Sequence, residues 1–336
     1  MPSKRAFKYS TIIGGWRPFH KAHQALVMNA LEVSDRAVIV VGSKENTLSA
    51  RNPFPASQRQ RMITDSLDAR TLERIDFVQV HDHLYNHRNW VSELRQAVEK
   101  TTSDSDSITL VGHNKDASSA YLSDFPDWTP TALPIHLEGL SATHVRQWLY
   151  EDQHSELASH VPEGTLAFLE HYITTDEYQR MLKEYHYIKE YRAAWADSPY
   201  PPIFVAVDKV ITYSDYVLLI RRGGYPGHGL WALPGGFLNA DETIEAAARR
   251  ELREETGLNG EYLSYRGQKV FDHPQRSQLG RMITHAFHYE ASSMPRAIAG
   301  DDAADVRWFP IHKLANIRSQ LFDDHFHILE HFLGVF

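Results

Sequence analysis

Between Gly236 and Leu258 the chain reads GFLNADETIEAAARRELREETGL, and this stretch carries the densest chemistry in the sequence. Glu251, Glu254 and Glu255 stand at i, i+3 and i+4, a spacing that puts three carboxylates on one face of a helix. The helix is expected over 243–255: Asp241 or Thr243 can cap it, Ala246 to Ala248 favour it, and Gly257 ends it. Three anions so close repel one another, and a hard divalent cation bound by oxygen ligands relieves that repulsion. Magnesium is the metal such oxygen ligands suit. Arg250 lies within the same run and is expected to orient the glutamates by pairing with Glu242. A solvated helix of Glu and Arg pairs is the plain alternative, and the fixed offsets of Gly236, Glu242 and the run from Arg250 to Gly257 argue against it.

A second set lies near the N-terminus. Residues 15–23 read GWRPFHKAH, so that His20 and His23 stand one turn apart where a helix opens. Two imidazoles beside the free N–H groups of a helix start can hold nucleotide phosphates, although a capping pair has the same spacing. Far along the chain, Gly139 to Arg146 (GLSATHVR) offers another helix start with two hydroxyls and an arginine. Ser141 can be a simple N-cap there; together with the first set, phosphate binding by Ser141, Thr143 and Arg146 becomes the better reading.

The elements that must position these groups follow from periodicity. Apolar strands are expected at 9–14, 37–42, 75–80, 108–112 and 131–137, with helical patterns between them, for example at 56–68 and 89–100. Such alternation predicts a parallel sheet of the Rossmann-like kind covered by helices on both faces, with ligands beyond the carboxyl ends of the strands, where loops 14–23 and 112–116 fall. Residues 155–197 read as helices whose aromatic stripe serves packing. The segment DSPYPP at 197–202 is a proline-rich linker. The expected organisation is therefore a first domain at 1–196, a linker at 197–202 and a second domain at 203–336. In the second domain, strands at 203–212, 216–222, 261–271, 281–290 and 305–309 with helices at 311–316 and 321–334 suit a mixed sheet between helices.

The chain has 336 residues, which favours two cores over one, and its net charge of -8 speaks against a general nucleic-acid binder. It contains no cysteine, so disulfides and thiolate metal sites are excluded. The basic N-terminus has too short an apolar run for a signal peptide, and no run is long enough to span a bilayer. The expectation is a cytoplasmic enzyme without membrane or nucleic-acid partners, its homo-oligomeric state left open. His327 to His331 (HILEH) matches a zinc-protease pattern, but it lies on an amphipathic terminal helix with no third ligand pattern and reads as packing.

The run from Gly236 to Leu258 resembles, without departure, the signature box of the Nudix hydrolases, which cleave nucleoside diphosphates linked to another moiety. The N-terminal motifs resemble G-x-F-x-P-x-H-x-G-H and S-x-T-x-x-R of the nucleotidyltransferase superfamily, and within it the nicotinamide mononucleotide (NMN) adenylyltransferases. Taken whole, the sequence is similar to bifunctional NMN adenylyltransferase/Nudix hydrolase proteins. The resemblance implies an α/β fold: an N-terminal Rossmann-like nucleotidyltransferase domain and a C-terminal Nudix α/β/α sandwich. It implies ATP contacts at Gly14, Arg17, His20, His23, Ser141, Thr143 and Arg146, and NMN contacts at Arg51, Asn89, Trp90 and Lys115. It implies metal ligands at Glu251, Glu254 and Glu255. Pro274, 16 residues beyond Leu258, resembles the ADP-ribose pyrophosphatase subgroup. ADP-ribose contacts would then be Arg221, Phe271, Pro274, Arg276 and Arg281. Asp301 and Asp302 could add a metal ligand or a base, but a plain acidic turn is the better reading of that pair. Two departures stand out: Ala22 replaces the family's usual glycine, and the family's leading arginine is shifted to Arg17. The alternatives are another mononucleotide or phosphopantetheine at the first site, NADH or a dinucleoside polyphosphate at the second, or a second domain that senses ADP-ribose without cleaving it.

Overall fold

The computed structural model describes residues 5–103, 106–112, 123–132, 139–258, 260–300 and 303–334. The expected loop contacts at 113–116, including Lys115, most of the strand expected at 131–137, and Asp301 and Asp302 lie outside these residues. The chain divides into two compact units, Met1–Leu182 and Lys183–Phe336.

In the first unit, β1 (Phe7–Gly14), β2 (Ser34–Val41), β3 (Ile75–Gln79), β4 (Ile108–Gly112) and β5 (Thr129–Ala132) form one sheet in the order β3-β2-β1-β4-β5. Every pairing in it is parallel. Strand β2 is buried along Ala37–Val41, as a strand covered on both faces must be. Helix α1 (Lys21–Val33) buries Val27, Ala30 and Leu31. Helix α4 (His87–Glu99) sets Leu94 and Val98 against Val38, Val40 and Leu110. Helices α2 (Ala56–Thr64), α3 (Ala69–Leu72), α5 (Ala142–Tyr150), α6 (His154–His160) and α7 (Glu163–Tyr172) complete the unit, and α8 spans Asp176–Ala193. The strand order changes direction between β1 and β4, and in such sheets ligands bind beyond the carboxyl ends of the strands at that switch point.

The division between units falls inside α8, ahead of the linker expected at 197–202. The second half of that helix finds its partners in the second unit: Glu184 accepts from the Gly227 N–H at 3.1 Å, and Arg192 Nε donates to the Gln278 carbonyl at 2.9 Å. Tyr191 and Trp195 pack on Phe204 at ring separations of 5.7 and 5.3 Å.

The second unit is built on a mixed sheet in the order β10 (Leu263–Phe271), β11 (Arg281–Ala291), β6 (Ile203–Tyr213), β7 (Tyr216–Arg222) and β12 (Ala303–Pro310). Only β11 and β6 run parallel among these neighbours. Two short strands that periodicity did not reveal, β8 (Trp231–Ala232) and β9 (Gly235–Phe237), pair with β7 and β6. Helix α9 (Ile244–Thr256) covers one face, packing Ala247 and Ala248 on Val207 and Phe287. Ile311–Gln320 is a 3-10 segment rather than an α-helix, and α10 spans His325–Leu333. No described helix is long and apolar enough to cross a membrane.

Candidate functional site

The first candidate site is assembled by the turn after β1. Trp16 adopts a left-handed backbone (φ 54°), and its indole Nε1 donates to the Val40 carbonyl at 2.8 Å. That anchor turns the chain back over the end of β2 and delivers His20 as the N-cap of α1, where its Nδ1 accepts the His23 N–H at 3.3 Å. The two imidazoles stack with centroids 3.5 Å apart. Burial pushes His20 down to about 4, so it is neutral at pH 7. The capping and ligand readings of this pair are thus compatible, since one ring nitrogen caps and the other is left for different work.

Arg146, on α5, donates through Nη1 to the Arg17 carbonyl at 2.6 Å and through Nη2 to Thr143 Oγ1 at 3.2 Å. Ser141 caps α5 by accepting the His144 N–H. The two helix starts, at Lys21 and Ala142, are therefore joined at one place. Burial above all, with the charges of Arg17 and Arg51 acting in the same sense, lowers Arg146 to about 10. Arg17 is depressed by burial too, with Asp82 opposing and Arg51 adding to the effect. Three guanidinium groups that destabilise one another electrostatically form a ready site for a polyanion. Gly14 lies at the base, its carbonyl accepting the Gly42 N–H at 3.0 Å.

Arg59, which no sequence pattern pointed out, underlies this cluster. It is fully buried, and its guanidinium donates to the carbonyls of Phe54 (3.0 Å), Gly15 (2.7 Å), Gly42 (2.7 Å) and Ser43 (3.1 Å). One side chain thereby ties the loops after β1 and β2 together. Asp82 accepts from the Ser43 N–H and hydroxyl and from Asn46. Its neighbours His81 and His83 turn the other way onto Glu93 at 2.8 and 2.7 Å. Among the expected NMN contacts, exposed Arg51 joins the arginine cluster electrostatically. Trp90 sits on α4, stacked on His87 at 5.7 Å and edge-on to Phe125. Asn89 is exposed in the first turn of α4.

The second candidate site is the box helix α9, capped by Thr243 rather than Asp241 and ended by left-handed Gly257. Arg250 pairs with Glu242 as expected, Nη2 to Oε1 at 2.6 Å and Nε to Oε2 at 3.0 Å. Its Nη1 also binds Glu251 (2.6 Å) and Glu254 (2.9 Å). This corrects the expectation of three uncompensated anions: one guanidinium bridges two of them. Among the described residues no three His, Cys, Asp or Glu side chains converge as a preformed metal site. The donor set nonetheless suits a hard cation. Glu255 is buried and pushed up to about 8 by that burial, with its Oε2 accepting the Gly235 N–H at 2.7 Å. Such a carboxyl gains most from a neighbouring positive charge. Gly236 permits the approach, since a Cβ there would lie 2.4 Å from Glu251 Oε1.

A cavity opens beside Gly235 and Gly236, and of the five residues expected to contact ADP-ribose only Arg276 lines it. Arg276 is itself buried in a bidentate pair with Asp324 at 2.8 and 2.9 Å. Arg222 lines the cavity in place of Arg221, because successive strand residues face opposite ways; exposed Arg221 donates to the Gly229 carbonyl. Phe271 is fully buried, Pro274 is exposed, and Arg281 donates to the Asp272 carbonyl. The aromatic lining comes instead from Phe237 and Phe322. Asp208 and His325 form a buried floor. Asp208 accepts from Thr284 Oγ1 at 2.7 Å, and His325 Nδ1 accepts the Leu233 N–H at 2.9 Å. A charged pair, Asp208-Lys209, in the middle of an apolar strand was the sequence signal for this floor.

Comparison with known proteins identifies the families of both halves. Residues 12–148 match the cytidylyltransferase-like family and residues 202–332 the NUDIX domain family. A crystal structure of a bifunctional NMN adenylyltransferase/ADP ribose pyrophosphatase from Francisella tularensis is 36% identical, covering 98% of this chain and 99% of that one at a TM-score of 0.92. A second structure of such a protein from Francisella tularensis, complexed with AMP and a manganese ion, is 34% identical over the same shares at a TM-score of 0.89. The nicotinamide/nicotinic acid mononucleotide adenylyltransferase of Acinetobacter baylyi is 37% identical over 179 residues, 53% of this chain and 94% of that protein. The chain belongs to the family of bifunctional NMN adenylyltransferase/Nudix hydrolase proteins.

Proposed function

We propose that the chain is an enzyme with two activities in pyridine-nucleotide metabolism. The first unit transfers the adenylyl group of ATP to NMN, giving NAD and pyrophosphate. The second hydrolyses ADP-ribose to AMP and ribose 5-phosphate. The observation that carries the first activity is the meeting of Arg17, Arg51 and Arg146 beside the stacked His20 and His23. In the transfer the NMN phosphate attacks the α-phosphorus of ATP in line while pyrophosphate departs. Such reactions need alignment and charge neutralisation rather than a covalent nucleophile. In this reading His20, His23, Ser141, Thr143 and Arg146 grip the triphosphate, Arg17 takes the place of the family's leading arginine, and Arg51 with Trp90 and Asn89 serves NMN.

In the hydrolase, water adds to one phosphorus of the diphosphate and the bridging P–O bond breaks. Glu251, Glu254 and Glu255 would hold divalent cations, which supply charge neutralisation at the diphosphate. Magnesium is the metal proposed, with manganese as its substitute; a manganese complex of the Francisella protein supports a divalent cation in general. Arg250 orients the glutamates, and the Gly235 N–H fixes Glu255. The test is a pair of variants in the full chain, assayed for both reactions. His23→Ala is expected to cut NAD synthesis by orders of magnitude and leave ADP-ribose hydrolysis intact, and Glu255→Gln to do the reverse. Equal loss of both activities in either variant would overturn the two-site reading.

A further inference from the structure

Ser49 and Asn52 form an antiparallel bridge, the Asn52 N–H donating to the Ser49 carbonyl at 2.9 Å and the Ser49 N–H to the Asn52 carbonyl at 3.2 Å. Ala50 and Arg51 are therefore the two central residues of a tight turn. Ala50 is buried and Arg51 is exposed, so the turn sends one small side chain inward and one guanidinium out. Packing fixes the chain that follows. Phe54 is fully buried, its ring edge-on to Tyr172 at 4.9 Å and to Phe168 at 5.8 Å, and its carbonyl accepts from Arg59. The turn itself is tied to a different element. Tyr150, at the end of α5, is buried and donates its hydroxyl to the Ala50 carbonyl at 3.1 Å, across 100 residues of chain. We infer that the Tyr150 hydroxyl is a positioning group for NMN: it fixes the Arg51 turn to the helix that carries Arg146, so that the guanidinium on the NMN side is already in place beside the arginine on the ATP side. The inference rests on the transferase reading and adds to it a buried residue that acts through Arg51.

Three observations carry it. Arg146 and Tyr150 stand at i and i+4, on one face of α5, and Arg146 donates to the Arg17 carbonyl at 2.6 Å. A single stretch of helix thus holds the loop after β1 through its arginine and the Arg51 turn through its tyrosine. Secondly, the charge of Arg51 acts on Arg146. Like charges repel, and an exposed guanidinium on an untied turn would swing away from its neighbour. The bonded carbonyl belongs to the residue immediately before Arg51, where a tether has most hold on it. Thirdly, Tyr150 is itself held firmly. Its ring stacks on Tyr178 at 6.1 Å, and the Tyr178 hydroxyl donates to the Leu149 carbonyl at 3.0 Å. A firm tether reduces the freedom that the turn must lose when NMN binds, and preorganisation of this kind raises affinity.

The test is Tyr150→Phe in the full chain, which removes one oxygen and keeps the ring. The KM for NMN should rise about fivefold, the factor that one lost hydrogen bond is worth, while kcat and the KM for ATP stay within about twofold. Made in an Arg51→Ala background, the same substitution should add nothing to the KM for NMN, because Tyr150 acts through Arg51. A tyrosine that serves the fold alone would raise both KM values together, or raise that for NMN equally with and without Arg51. Either result overturns the inference, as does an unchanged KM for NMN, and NAD synthesis by the unaltered chain still upholds the transferase reading. If the unaltered chain makes no NAD from ATP and NMN, that reading fails by itself. NMN binding by calorimetry to the same proteins then decides the tether. Binding about fivefold weaker in Tyr150→Phe, with no such difference in the Arg51→Ala background, supports it; equal binding, or none to the unaltered chain, overturns it.

Discussion

Replacing Arg59 with Met tests whether the first site is held together from beneath. The side chain is fully buried, and its volume is nearly matched by Met, so the change removes donors more than packing. Four carbonyls, those of Phe54, Gly15, Gly42 and Ser43, lose their guanidinium donor. At about 1 kcal/mol net per bond the loss is about 4 kcal/mol, close to the roughly 3–5 kcal/mol typical of breaking a buried charged contact. Burial lowers the guanidinium to about 9, still two units above neutral, so the group is charged at pH 7 and its bonds are charge-assisted. In a unit of this size about 4 kcal/mol corresponds to a fall of roughly 8–16 °C in the unfolding midpoint. The assay is the temperature at which each activity is lost on heating: NAD synthesis should fail at a temperature lower by that amount, and ADP-ribose hydrolysis should keep its own. Because Gly15 and Ser43 flank the arginine cluster, NAD synthesis should also be slower at 25 °C. A midpoint within about 2 °C of the unaltered protein would refute the assignment of Arg59 as the tie between the two loops, as would parallel loss of both activities.

His20 is lowered by burial to about 4, so the unfolded chain takes up its proton first as pH falls. Its contribution is complete above about pH 6.5 and is lost as pH falls toward 4, roughly 3 kcal/mol in all. His20→Asn, which keeps a capping acceptor, should lose about 2–3 kcal/mol less than the unaltered protein between pH 7 and pH 4.5 in denaturant unfolding; equal losses would disprove this. Gly236→Ala puts a methyl 2.4 Å from Glu251 Oε1, the movable end of a side chain, so hydrolysis should fall at least about tenfold with little change in melting. Gly235→Ala instead meets the Val207 carbonyl at 2.1 Å, and there β9 must leave β6, so melting itself should drop. His325→Phe removes the acceptor of the Leu233 N–H and should lower kcat for hydrolysis, with His325→Asn restoring much of it. Equal kcat in the Phe and Asn variants would show that this bond does not position the loop.

Much of the molecule was legible because its information is local. Strand β1 ending at Gly14, the cap at His20 and the helix from Thr243 to Gly257 each follow from neighbours within a turn or two. The parallel order of the first sheet also followed from alternation of strands and helices. What was not legible was mostly facing and partnership at a distance. Arg221 and Arg222 are adjacent and chemically identical, and strand pleating sends only the second into the cavity. Arg276 is paired at both forks with Asp324, 48 residues away, a partner that no local spacing reveals. Helix α8 reads as one element, yet its two halves belong to different units because Glu184 and Arg192 meet partners that no spacing within the helix reveals.

The amino-acid order alone therefore determined the two chemistries, since ligand spacing on a helix face and helix-start motifs are properties of a few consecutive turns. Tertiary structure decided how charge is balanced within them. Arg17, Arg51 and Arg146 come from three separate segments, and Arg59 reaches four carbonyls on three of the chain's turns. Those convergences depend on which strands lie side by side and on what burial does to a charge once water is excluded, and neither quantity is written in any single stretch of sequence.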